Sequence, residues 1–244
     1  MKIWRKTMTG IILAGGKGSR LGNKNKALIK VGKFSIIEGI IMKLKKAEFE
    51  EIIICGGIGE WGNGGMREQE NRIIHHFPFL PLPHSPTPSL PLSPLLHPEQ
   101  LQGVITIEDI IPHFGPLVGL YSGLISSNNF YNFVVGCDMP FLSINLIKYM
   151  KDKIGDADVV IPKTKEGIEP LHAIYSKNCL NIIEKKIRDE KEKHSLRSIF
   201  SELKIKYISE KEILQFSLPE IAFFNINTSQ NIEEARRLVE ELEE

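Results

Sequence analysis

Residues 12–28, ILAGGKGSRLGNKNKAL, set four glycines, one arginine and three lysines directly behind a short apolar run. Glycine lets a backbone approach a phosphate closely, and free N–H groups at the start of a helix favour an anion. Arg20 is a two-pronged donor and Lys26 a point charge, and both suit phosphate oxygens. The spacing excludes two common phosphate loops, because neither G-x-G-x-x-G nor G-x-x-x-x-G-K-[ST] can be threaded through this stretch. What remains is L-A-G-G-x-x-x-R-L-G, running from Leu13, Ala14, Gly15 and Gly16 to Arg20 and Gly22, with Lys26 four residues further on. A basic surface loop that uses glycine only to turn would contain the same residues.

Further along, GCDMPFL ends an apolar run with Asp138 and then breaks at Pro140. A carboxylate at the end of a parallel strand lies where open α/β sheets bind ligands, and beside a triphosphate it would hold Mg²⁺. The competing role, capping the next helix, falls more naturally to Ser143. In EDIIPHFGPLVGLYSGL, Asp109 precedes a helix that starts at Pro116 and carries Gly119 and Gly123 one turn apart. Asp109 could accept hydrogen bonds from a base or ribose, or simply form the turn. The two glycines imply close approach by a ligand, another backbone or the sheet. In FFNINTSQN, Asn225 and Asn227 are two apart, so on a strand they would share one face. Their amides would then bind an acceptor or a metal-bound phosphate, unless they shape the turn into the last helix with Thr228 and Asn231. His172, within EPLHAIYS, reads as a packed histidine.

These residues need a frame to hold them. Strand-length apolar runs alternate with helical periodicity, the pattern of βα units around a mainly parallel sheet. GIILAG, EIIICGG, VITIED, NFVVGCD, ADVVIP, EPLHAIYS, IKYISE and AFFNI read as strands. SIIEGIIMKLKKA, LVGLYSGLISS, INLIKYMKDKI, KNCLNIIEKKIRDE and NIEEARRLVEELEE read as helices. One domain over 8–244 is expected. Residues 77–98 interrupt it with eight of the chain's fourteen prolines, which exclude a helix or central strand and imply an irregular insertion. The glycine-rich stretch before it also reads as irregular.

Thirty-one basic against thirty acidic residues leave a net charge of +1, without the long-range field that draws proteins to nucleic acid or anionic membrane. The longest apolar runs are strand-length, far short of the roughly 20 residues needed to span a bilayer. No signal-peptide pattern follows the basic N-terminus, so a cytoplasmic protein is expected. Cys55, Cys137 and Cys179 are odd in number and lack C-x-x-C spacing, which argues against a disulfide framework or zinc site.

The glycine loop with Lys26 resembles the signature of nucleotidyltransferases. Taken in order with DIIPHFGPLVGL, CDMPFL, EPLHAIY and FFNINT, it is similar to the molybdenum cofactor guanylyltransferase family from residue 12 to about 238. The resemblance implies a three-layer Rossmann-like α/β fold and Mg²⁺-dependent transfer of GMP from GTP to molybdopterin cofactor. It further implies that Leu13, Ala14, Gly15, Gly16 and Lys26 contact GTP, that Asp109 helps bind the nucleotide, and that Asp138 holds the metal. Asn225 and Asn227 would lie near the acceptor, and Lys26 and Arg20 would neutralise phosphate charge. Proteins that deliver or receive the cofactor are implied partners. The chain departs from the family at Asn25, where an acid is common, and at Ser229, where proline is common. A different nucleotidyltransferase using CTP or a sugar phosphate, or a non-catalytic GTP- or cofactor-binding protein, are the competing readings.

Overall fold

The computed structural model describes residues 7–14, 26–56, 101–107, 109, 115–189 and 195–243. The glycine loop with Gly15, Gly16 and Arg20, the departure at Asn25, and the glycine- and proline-rich stretches before residue 101 lie outside the described residues.

Each strand's alternation of apolar side chains dictates two buried faces. Thr9–Leu13 (β1), Glu51–Cys55 (β4), Val104–Ile107 (β5), Tyr131–Gly136 (β6), Val159–Thr164 (β7), Gly167–Ile168 (β8), His172–Ser176 (β9) and Ile205–Ser209 (β10) form one eight-stranded sheet. Its order is β10-β7-β9-β6-β1-β4-β5, with β8 paired to β7. β1 runs parallel to both β4 and β6, β4 to β5, and β10 to β7, whereas β9 is antiparallel to its neighbours β6 and β7. The expectation of a mainly parallel sheet holds, with β9 reversed inside it and the short β8 antiparallel to β7. A small hairpin, Lys30–Val31 (β2) with Phe34–Ser35 (β3), stands apart.

Ile12, Ile52, Ile54, Phe133 and Val135 face one core layer, while Ile11, Leu13, Ile53 and Val134 face the other, as the two-residue period of strands requires. The first layer is covered by Ile36–Lys46 (α1), Ile144–Asp152 (α3), Pro219–Ala222 (α6) and Ser229–Glu243 (α7). The second is covered by Pro116–Ser126 (α2), Cys179–Arg188 (α4) and a 3₁₀ segment at Leu196–Glu202. A short helix, Glu210–Ile213 (α5), follows β10. Three layers around one sheet give the Rossmann-like α/β arrangement.

Helix starts follow capping chemistry. Ser35 and Glu38 form a reciprocal capping box on α1, the Ser35 N–H donating to the Glu38 carboxylate at 2.8 Å. Ser143 caps α3 by accepting from Leu146 N at 3.3 Å, so Asp138 is released from that duty, as the sequence implied. A side chain at Gly123 would put its Cβ 2.6 Å from Ile11 Cγ2 and 3.0 Å from Cys55 Sγ. That glycine is explained by α2 lying close on the sheet, without a ligand.

The expected strand at AFFNI does not form. Residues 224–227 run as irregular chain after α6. The reason is that β6, the nearest strand, already has β1 on one side and β9 on the other, leaving no ladder to join. Ile226 N instead donates to the carbonyl of Asp138, in the turn after β6, at 2.9 Å.

Candidate active site at the β1–β6 switch point

β1 passes to β4 on one side of the sheet, and β6 is added later on the other side, so the strand order reverses between β1 and β6. Open α/β sheets form a crevice outside the carboxyl ends of the strands at such a point. The strand ends here are level. Ala14 N donates to Cys55 O at 2.8 Å, Cys137 N to Leu13 O at 3.0 Å, and Gly56 N to Ile107 O at 3.1 Å. Asp109, Ala14 and Asp138 therefore all emerge from the same edge of the sheet, with Ala14 at the end of β1 between the other two.

Asp138 is held by a turn in which Met139 N donates to Gly136 O at 3.3 Å. A Cβ at Gly136 would lie 2.7 Å from Asp138 Oδ1, so the bare glycine makes the space into which the carboxylate folds. Lys26 opens a 3₁₀ turn, Lys26–Leu28, anchored by the fully buried Ala27. Its ammonium donates to Asn227 Oδ1 at 2.7 Å and lies 3.6 Å from Asp138 Oδ2. Both charged side chains keep about a fifth of their surface exposed, 19% and 23%, so a ligand can reach the pair.

Asn227 is fixed from the other direction. Its N–H and that of Thr228 donate to Asn231 Oδ1 at 3.2 Å and 3.1 Å, and the Thr228 hydroxyl donates to the same oxygen at 3.0 Å. Thr228 and Asn231 thus shape the entry to α7, the turn-forming role their sequence allowed. Asn225 does not share a face with Asn227 as a strand would require. Its amide turns back to Phe223 O at 2.9 Å. The structure brings Lys26, Asp138 and Asn227 together in direct contact and leaves Asn225 two residues away on the same segment.

Asp109 follows β5, with its Oδ1 3.5 Å from where a Cβ at Gly119 would stand, and Leu13 Cδ2 is 3.3 Å from the same point. Gly119 is therefore what lets Asp109 and Leu13 meet over α2. Leu13 and Ala14 themselves are buried, so a ligand would meet their backbone rather than their side chains.

Two nearby groups are unsuited to covalent or acid–base work. The Cys137 thiol, beside Asp138, is pushed up to about 12 by burial and by that carboxylate's charge, which keeps it a neutral thiol. His172 is fully buried between the ring edges of Phe133 and Phe223, both 5.1 Å away, and neither ring nitrogen has a hydrogen-bond partner among the described residues. Burial pushes its pKa down to about 3. The sequence reading of a packed histidine holds.

Sequence reasoning missed Lys43. On α1 it reads as part of a solvated basic face, yet its ammonium donates to Pro140 O at 2.9 Å and pins the turn two residues beyond Asp138.

A lysine–carboxylate–amide contact at the switch point of a three-layer α/β sheet is an arrangement suited to a nucleotidyltransferase of the Rossmann-like type. Residues 10–206 match the MobA-like NTP transferase domain, and the chain belongs to that family. A protein of Pelotomaculum thermopropionicum named "Probable molybdenum cofactor guanylyltransferase" is 31% identical over 95% of this chain and 93% of its own. The "Molybdenum cofactor guanylyltransferase" of Desulfosudis oleivorans is 29% identical over 95% and 96%. Among solved structures, molybdopterin-guanine dinucleotide biosynthesis protein A from Archaeoglobus fulgidus superposes with a TM-score of 0.66 at 19% identity, covering 96% of this chain and all (100%) of that one, and so shares the fold. No helix among the described residues is long and apolar enough to cross a membrane.

Proposed function

We propose that the chain transfers GMP from GTP to the terminal phosphate of molybdopterin cofactor, giving the guanine dinucleotide form and pyrophosphate. The observation that carries this reading is the convergence of Lys26, Asp138 and Asn227 at the switch point, in a chain whose curated relatives carry that activity in their names.

The reaction is an in-line displacement. An oxygen of the acceptor phosphate attacks the α-phosphorus of GTP, a new P–O bond forms, and the bond between the α-phosphorus and the bridging oxygen breaks as pyrophosphate leaves. The attacking phosphate is already ionised at neutral pH, so no general base is required. This suits a site where, among the described residues, the nearby histidine is buried and the nearby thiol stays protonated. Catalysis then rests on positioning and on neutralising charge.

Lys26 leaves its contacts with Asp138 and Asn227 to meet the nucleotide's phosphates, and Arg20 adds a second cation. Leu13, Ala14, Gly15 and Gly16 offer backbone N–H groups to GTP, and Asp109 meets the nucleoside. Asn227, with Asn225 beside it, faces the acceptor.

The residues present fit a hard divalent cation. Asp138 is a single, accessible carboxylate on a glycine-made ledge, and Mg²⁺ is ordinarily held by one or two carboxylates with substrate phosphates and water completing the shell. Bound there, Mg²⁺ would supply charge neutralisation at the phosphates. The catalytic unit spans 8–244, works in the cytoplasm, and exchanges its cofactor with delivering or receiving proteins.

The test is pyrophosphate release with Mg²⁺ and each common nucleoside triphosphate, with and without molybdopterin cofactor. Release that needs the cofactor and is fastest with GTP supports the proposal. Release with CTP reassigns the substrate, and GTP binding without release overturns catalysis.

A further inference from the structure

A cavity of about 270 Å³ opens on the outer side of α1, between the β2–β3 hairpin, the turn after β6 and α7. Val31, Met42 and Phe141 give it apolar walls, Lys33, Lys43 and Lys46 line it as well, and among the described residues no acidic side chain does. The nearest acid of α1, Glu38, is turned into the Ser35 cap at 2.8 Å. Three cations therefore share an apolar-walled space with no acidic side chain among the described residues of its lining.

Gly39 points to the same conclusion independently. It lies inside α1 and lines the cavity, where glycine costs about 1 kcal/mol relative to alanine. The usual reasons for such a glycine fail. Its backbone is helical rather than left-handed, and an added Cβ would meet nothing within 4 Å. Gly123 on α2, by contrast, is demanded by Ile11 at 2.6 Å. What Gly39 does is leave room.

Lys43 shows how the charges are placed. Its ammonium is drawn in to Pro140 O at 2.9 Å and stands 5.9 Å from the centre of the Phe141 ring. Burial, and then the charge of Lys46, push its pKa down to about 8. An anion entering the cavity would relieve both the repulsion and the missing solvation.

We propose that this cavity is a binding site for a small anion with an apolar body, a carboxylate or phosphate monoester on a short hydrocarbon chain. The volume, just below the usual range of about 300–1,000 Å³ for ligand pockets, suits a small ligand. The anionic head meets Lys43 and Lys46, with Lys33 at the mouth, and the chain lies over Gly39 against Met42 and Phe141. The site is independent of the proposed transfer reaction and is read without turnover.

The test follows the Met42 methyl signal in the full chain labelled with [¹³C-methyl]methionine, assigned with Met42→Leu. Octanoate and octyl phosphate are the probes that distinguish the two heads, with octanamide and inorganic phosphate as controls lacking the charge or the chain. The expected result is a saturable Met42 shift with at least one amphipathic anion, roughly tenfold tighter than with octanamide. Gly39→Leu, which fills the space, abolishes it, and Lys33→Gln/Lys46→Gln, confined to exposed lysines, weakens it roughly tenfold even if the leucine disturbs α1. No saturable shift, equal binding of octanamide, or binding unchanged in the double lysine variant overturns the proposal.

Discussion

The ammonium of Lys26 donates to the side-chain oxygen of Asn227, 2.7 Å away and 201 residues later in the chain, while standing 3.6 Å from the Asp138 carboxylate. Three segments that leave different elements are thereby joined at the β1–β6 switch point. Without ligand, the cation and the carboxylate offset each other's charge. On the proposed reading, a polyphosphate and a divalent cation would each offer one of them a stronger partner.

Lys26→Ala is the first expected loss. Removing one preorganised positive group at developing phosphate charge lowers turnover by about 10²–10³-fold. The fold survives, because the anchor of that turn is Ala27, which is fully buried, and not the partly exposed lysine. Pyrophosphate release and a thermal melt on the same preparation check this, and near-normal activity would refute the role of Lys26.

Asn227 offers a sharper discrimination. Asn227→Ala removes an acceptor and frees Lys26, whereas Asn227→Asp places a second carboxylate beside Asp138 and holds Lys26 more tightly. Lys26 must part from these groups to reach a phosphate, so the aspartate variant should raise the KM for GTP more than the alanine variant does. The extra rise should shrink as salt is added, because the group is partly exposed. Equal effects of the two substitutions would mean that Lys26 does not exchange partners.

Much of this was legible from sequence, for reasons that can be traced to particular residues. The β1 strand, the Asp138 turn and the buried His172 follow from local rules: an apolar run, a strand-ending acid before proline, a ring within a strand. Ser143 as the α3 cap was equally local. AFFNI failed as a strand because strand formation depends on a free neighbour, and β6 has none. The pairing of Asn225 with Asn227 failed with it, since the two-residue period holds only on an extended strand. Lys43 was invisible because its partner is a backbone carbonyl 97 residues away, and no spacing on α1 reports that.

Two glycines on helices should respond oppositely to alanine. At Gly123 the new methyl would stand 2.6 Å from Ile11 Cγ2, and overpacking of this kind costs about 1–3 kcal/mol. At Gly39 the methyl meets nothing within 4 Å, and the gain in helix propensity stabilises by up to about 1 kcal/mol. Urea denaturation of both variants measures the pair, and destabilisation by Gly39→Ala would show that the cavity wall is closer than its lining indicates.

His172 makes stability depend on pH in a direction its burial sets. Folded, its pKa is held down to about 3, below the ordinary 6.5, because the fully buried ring between Phe133 and Phe223 has no solvent to support a charge. Between those two values the unfolded chain binds a proton that the folded chain refuses. This component of stability is therefore fully present above about pH 6.5 and falls as the pH drops, at up to about 1.4 kcal/mol per pH unit. His172→Leu removes the titrating ring while keeping the site apolar. Unfolding free energies measured by urea at about pH 7 and about pH 5 should then fall less steeply in the variant than in the parent chain, with the difference opening only below about pH 6.5. Parallel curves would show that the ring takes up its proton while folded, and that water or a polar group reaches its nitrogens.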